Sequence, residues 1–170
     1  MREKAAPEAD AFAFATLAAL DGISKATGTI ADASQFLDAL LTAWSKMDED
    51  EVPQEQRVLY ATATLLNSVM ALDTTKSREI LGKFAVKKVV PQARFYTAIE
   101  MLDGKSPGEE LGHYKKATSA ADINFMIIHK PAVIKFDKHI ASNIIPAEAN
   151  PDADADIIKY RKYGLVEAYA

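Results

Sequence analysis

The amino-acid sequence predicts an α+β chain, and two observations carry the prediction. Apolar residues recur at helical spacing through the first half, whereas β-branched and aromatic runs separated by turn residues fill the second. Strands and helices do not alternate in a regular βαβ pattern, and the chain contains no internal repeat.

The first helix is expected over Glu8 to about Asp21, in an alanine-rich run that favours helix, with Pro7 at the tolerant first turn and Gly22 as its stop. Phe12, Phe14, Leu17, Ala18 and Leu20 surround much of its cylinder, so burial against more than one neighbour is expected. Gly22 to Thr29 reads as a flexible connection. Asp32 followed by Gln35 resembles a capping box, and Phe36, Leu37, Leu40, Leu41, Trp44 and Met47 then mark one face of a helix from about Ala33 to Met47. The acidic run Asp48 to Glu51 opposes the negative helix end, and Pro53 blocks continuation.

Arg57 to Thr62 is short, β-branched and aromatic, the pattern of a buried strand, and Leu65, Leu66, Val69 and Met70 return to helical spacing until Asp73. Phe84 to Val90 and Arg94 to Ile99 are expected strands parted by Pro91-Gln92. Asp103 to Gly108 is a loop by its turn residues. Ile123 to His129 and Ile134 to Ile145 read as strands, followed by a polar loop from Pro146 to Asp156. Asp156 to Ala170 then reads as a strand still running at the last residue, with Ile158, Tyr160, Lys162 and Gly164 on one face and Ile157, Lys159, Arg161, Tyr163 and Leu165 on the other. Such an edge is expected to find a partner or a further strand.

Composition narrows the function. A chain of 170 residues, 49% hydrophobic and 26% charged, has the make-up of a globular protein. A net charge of −4 argues against electrostatic grip on nucleic acid, and the absence of cysteine excludes disulfides, thiolate metal sites and cysteine nucleophiles. Apolar runs break well short of about 18 residues, so no membrane span is expected, and residues 1–20 lack the signature of a signal peptide.

The candidate chemistry is thin. His113, His129 and His139 lie 16 and 10 residues apart, not at the i, i+4 spacing of a zinc helix. The expectation is that His129 closes a strand and that His113 and His139 are surface groups. Asp152, Asp154 and Asp156 open like a calcium loop, but Ile157 and Tyr163 stand where that loop needs glycine and a bidentate glutamate. Tyr160-Arg161-Lys162-Tyr163 interleaves bases with aromatics as single-strand binders do, yet the simpler reading is an exposed strand face, and Lys87-Lys88 and Lys115-Lys116 read as solvated charges. The common phosphate, dinucleotide and hydrolase motifs do not occur. No catalytic, cofactor-binding or metal-ligating residue is assigned, and no cofactor is expected.

Four blocks taken together are more specific: MDEDEVPQEQRVLYATATLLNSV (47–69), LDTTKSREI (72–80), VVPQARFYTAIEMLDG (89–104) and INFMIIHKPAVIKFDKHIASNII with DADADIIKYRKYGLVEAY (123–169). In order and spacing they resemble the major capsid proteins of tailed bacteriophages and prophages that share the Hong Kong ninety-seven type coat fold. Arg57 to Thr64 matches an R-x-L-Y-x-T-x-T strand entering a helix, and Val90 to Tyr96 matches a V-P-x-x-R-F-Y segment. Asp122 to Val133 and Lys159 to Tyr169 correspond to two later blocks.

The resemblance implies the end of a spine helix and its connection over 1–28. Over 29–170 it implies an axial-domain-like α+β domain, a central sheet flanked by helices, with a return strand. It implies a non-enzymatic structural protein, a truncated copy or fragment of a capsid subunit that self-assembles into an icosahedral head. Its partners would be copies of itself, in hexamers and pentamers, with scaffold or portal proteins besides, and neither a membrane nor a specific nucleic acid. Its location would be the virion capsid, and the host cytoplasm during assembly. The family's N-terminal arm, extended loop and final N-K-V-x-G segment have no counterpart, so cross-linking chemistry is not carried over. Two alternatives stand beside this reading: a small metal-dependent or histidine-using hydrolase, and a coat-derived module that binds other proteins.

Overall fold

The computed structural model describes residues 5–109, 113–151 and 154–169. It is a mixed α+β structure with four helices and three small sheets among the described residues. The chain divides into two compact units, residues 1–133 with 168–170, and residues 134–167. No helix among the described residues is long and apolar enough to cross a membrane.

The first unit is built on a three-stranded sheet in the order β2-β1-β5, from Val86–Val90, Arg57–Thr62 and Phe125–His129. β1 is central: it runs parallel to β2, with Val58 beside Val86 and Thr62 beside Val90, and antiparallel to β5, with Arg57 opposite His129 and Ala61 opposite Phe125. A parallel neighbour cannot be reached by a tight hairpin, and the crossover is made by α3 (Ala63–Leu72) and α4 (Thr75–Gly82).

Both faces of β1 are covered, which is why its residues are buried almost without a break. On one face Leu59 and Ala61 meet Phe36, Leu37, Leu40 and Trp44 of α2 (Ala33–Glu49), with Leu66 and Val69 of α3 and Ile80 of α4. Phe36 and Leu40 are fully buried, so the expected face of α2 is the observed one. Trp44 packs edge-on against Phe84 at 5.2 Å between ring centroids, and Phe36 against Phe125 at 5.6 Å, geometries that suit the aromatic quadrupole. On the other face Tyr60 and Met126 meet a second cluster of Phe14, Val90, Phe95 and Ile123. Phe14 comes from α1 (Ala5–Ala19), and its ring lies 4.8 Å from that of Phe95.

The helix ends follow their local chemistry. The Asp32 carboxylate accepts the Gln35 N–H at 2.8 Å, while the Gln35 side chain accepts the Ala31 N–H at 2.9 Å, one residue before the cap. At the far end of α2 the Glu51 N–H donates to Asp48 and the Val52 N–H to Met47, a Schellman closure that holds Glu51 at φ 57°.

Several expectations are corrected. Arg94 to Ile99 is not a strand: Gln92–Arg94 forms a 3₁₀ turn, because Pro91 fixes its own φ and Phe95 is drawn into the core. Tyr96 makes a single bridge to Asp122, and only Ile99–Met101 (β3) pairs, antiparallel with Tyr114–Lys116 (β4), a strand the sequence did not reveal. Phe84 lies ahead of β2 as a core side chain. α1 buries Ala11, Phe14, Ala15 and Leu17 and leaves Phe12 exposed, so it is covered on one side, not all round. Met70 likewise faces solvent. Helix α4 was not expected; its start is a capping box in which Thr74 and Ser77 satisfy each other's backbone N–H groups.

The second unit is a two-stranded ribbon of β6 (Val133–Ile145) and β7 (Ile157–Ala168), joined by the 146–156 loop. The strands run antiparallel: the Tyr169 N–H donates to the Ala132 carbonyl at the root, and the Ala147 N–H to the Asp156 carboxylate at the tip. Between them Gly164 permits close approach, since a Cβ there would come within 3.3 Å of the Phe136 carbonyl oxygen.

Candidate assembly surface

The described residues do not gather the sequence candidates into one centre. His129 closes β5 opposite Arg57, as expected. His113 is half-buried ahead of β4, where its charge acts on Glu8 of α1, so it is not simply a surface group. The side chain of His139 lies outside the described residues. No group of three His, Asp or Glu among the described residues could hold a metal ion.

In the 146–156 loop Asp156 serves the loop itself. Asp156 accepts the Ala147 N–H at 2.8 Å, and the Asn150 amide donates to the Ala155 carbonyl at 2.8 Å, so this segment is a self-bonded tip. Asp152 lies outside the described residues. Within Tyr160-Arg161-Lys162-Tyr163, Arg161 and Tyr163 are exposed on β7, and the side chains of Tyr160 and Lys162 are outside the described set. Lys87 donates to the Leu81 carbonyl at 3.1 Å and caps α4, while Lys88 sits 5.6 Å from the Tyr60 ring. Lys115 pairs with Glu100 at 3.3 Å, and Lys116 with Asp122 at 2.7 Å. These lysines are engaged within the fold.

One polar centre was missed. Arg57 is fully buried under Trp44, its guanidinium carbon 4.3 Å from the indole centroid. Nε donates to the Pro53 carbonyl at 3.0 Å, Nη2 to the Val52 carbonyl, and Nη2 also meets Asp48 at 2.7 Å. For Asp48 the largest influence is desolvation, which raises its carboxyl. The hydrogen bonds from Arg57 and Gln54 and the charges of Arg57 and Lys83 together outweigh it and hold the group below its usual value. The centre ties the 48–53 loop to β1 and offers no open position for a substrate. The only sequence signal for it was an arginine opening an otherwise apolar strand.

The remaining feature is the ribbon. Ile134, Phe136, Ile140 and Ile144 on β6 and Ile158, Tyr163 and Leu165 on β7 are each between 45% and 68% exposed. Scattered single apolar residues are ordinary on a surface, but seven large ones on two adjacent strands are not. A lone two-stranded ribbon is marginal in water. Lys159 and Arg161 line a shallow groove with Ala141 and Asn143.

Compared with known proteins, the chain matches no family model, no curated protein and no solved structure.

Proposed function

We propose that the chain is a structural, non-enzymatic subunit, a major capsid protein of tailed-phage or prophage type, working by self-association into a shell. The observation that carries the reading is the ribbon, which exposes large apolar side chains on strands that lack a covering layer within their own unit. Support comes also from the position of the coat-like blocks. The Arg57–Thr64 block is the central strand entering α3, and the Val90–Tyr96 block is the turn that delivers Phe95 to the core, so both occupy positions that order a sheet flanked by helices. In such a protein the chemistry is surface complementarity, with modest contacts multiplied by symmetry.

The same ribbon would serve a coat-derived module that captures another chain through an open strand. Electron microscopy of the purified chain, joined to inspection of its neighbouring genes, separates the two. Regular closed or sheet-like assemblies beside portal and head-completion genes are expected. A chain that forms no such assembly, encoded away from any head gene, defeats the capsid reading.

A further inference from the structure

We infer that the ribbon is covered by the ribbon of a second copy, packed antiparallel about a two-fold axis so that the tip of each lies against the root of the other. The inference rests on the self-association reading above and names the surface that carries it.

Two observations select the occupant. The first is size: Ile134, Phe136, Ile140 and Ile144 share a face with Tyr163 and Leu165, and these six side chains, each roughly half exposed, present on the order of 500 Å² of accessible area, more than half of the roughly 800 Å² per partner of a standard interface. A ribbon of equal length offers as much in return. The second is charge. The tip, residues 146–156, holds Glu148, Asp152, Asp154 and Asp156 and no base, a net −4. The strands hold five bases, Lys135, Lys138, Lys159, Arg161 and Lys162, against Asp137 and Glu167, a net +3.

A parallel pair would set two acidic tips side by side within a Debye length of about 8 Å, whereas an antiparallel pair sets each tip against the other's basic strands. The two contacts are identical, as a two-fold axis requires. An anionic partner such as nucleic acid complements the strands but is repelled by the tip, and it leaves the apolar side chains uncovered.

The cysteine-free sequence makes the geometry directly testable. Single cysteines are placed on the full chain at Ile134 near the root, Ile140 near the middle and Ile144 near the tip, and each is oxidised gently. Tip-to-root packing predicts that I140C cross-links with itself, and that I134C and I144C cross-link in a mixture at least about tenfold faster than either alone. Sedimentation of the unmodified chain over a roughly hundredfold concentration range should show dimers that weaken several-fold between about 0.05 M and about 0.5 M salt. The exposed substitution Ile140→Asp should abolish the dimer while leaving the unfolding transition followed by Trp44 fluorescence in place.

Fast self-linking of I144C means a parallel pair and overturns the inference, as does a strictly monomeric sedimentation profile. The capsid reading fails separately. If the I140D chain still builds shells, ribbon pairing is wrong and the capsid reading stands; if the cross-links form as expected but no copy ever enters a shell, the pairing stands and the capsid reading falls.

Discussion

Replacing Arg57 by methionine tests what holds the sheet to the loop before it. Methionine keeps much of the apolar stem and removes the guanidinium fork, so the loss reports on the polar contacts more than on a cavity. The Pro53 and Val52 carbonyls lose charged donors at a part-buried position, each bond worth roughly 1.5–3 kcal/mol, and the contact with the Trp44 face is worth about 1–2 kcal/mol. The Asp48 ion pair adds little, because that carboxylate is 37% exposed and exposed pairs contribute about 1 kcal/mol or less. These terms share one side chain and do not simply add, so a loss of about 3–5 kcal/mol is expected, a large part of the roughly 5–15 kcal/mol that a domain possesses.

Urea unfolding followed by Trp44, the only tryptophan, reads the loss from the same cluster. Arg57→Lys keeps the charge but not the fork and should recover only part of it. Asp48→Asn should cost about 1 kcal/mol or less. An R57M chain within about 1 kcal/mol of the parent, or a D48N chain as damaged as R57M, would refute the assignment of Arg57 as an anchor for the loop backbone.

Trp44→Ala removes the largest side chain of the main core and should cost about 3–5 kcal/mol in chemical denaturation followed by circular dichroism; a loss under about 1 kcal/mol would contradict the buried face of α2. Glu51→Gly relieves a left-handed residue at the end of α2 and should raise stability by about 1 kcal/mol, seen as a higher thermal midpoint; an unchanged or lower midpoint would argue against the Schellman closure. Burial raises the Glu8 carboxyl, against a smaller lowering by His113, so its ionisation opposes folding: the penalty is absent below the unfolded pKa and complete above the raised folded one. Glu8→Gln should therefore stabilise the protein at neutral pH and lose that advantage in acid, checked by thermal midpoints across that range; an equal effect at all pH values would exclude the titration as its cause.

Much of the fold was legible because the signals were local. The i, i+4 rhythm from Phe36 to Trp44 and the short β-branched and aromatic run at Arg57–Thr62 each fix an element from a few residues, and both lie where the sequence placed them. Tertiary decisions were not legible. Helix α4 has only Ser77 and Ile80 buried, too few apolar positions to mark a face, and its start depends on a Thr–Ser box without the usual glutamate. Arg94 to Ile99 has strand composition, but the Phe95 ring is worth more in the second core cluster than in a ladder, so the backbone turns to deliver it. For the surface, period-two alternation gave the two faces of β7 but could not say how much of either stays open to solvent.

Segments 47–69 and 89–104 and the ribbon bear on function in different ways. Arg57, Leu59 and Phe95 lie inside those segments and are fully buried, so what the segments supply there is the means of folding: an anchored loop, a central strand, a turned aromatic. Side chains of this kind specify a scaffold and leave its use open, because a scaffold is compatible with many surfaces. The exposed apolar row of β6 and β7 is the opposite case. Its isoleucines and aromatics gain nothing from solvent and have no covering layer within their own unit, so their energetic return comes only when something covers them. A functional assignment for this protein therefore turns on the ribbon, and substitutions at Phe136, Ile140 or Tyr163 should alter association while leaving the fold of the first unit intact.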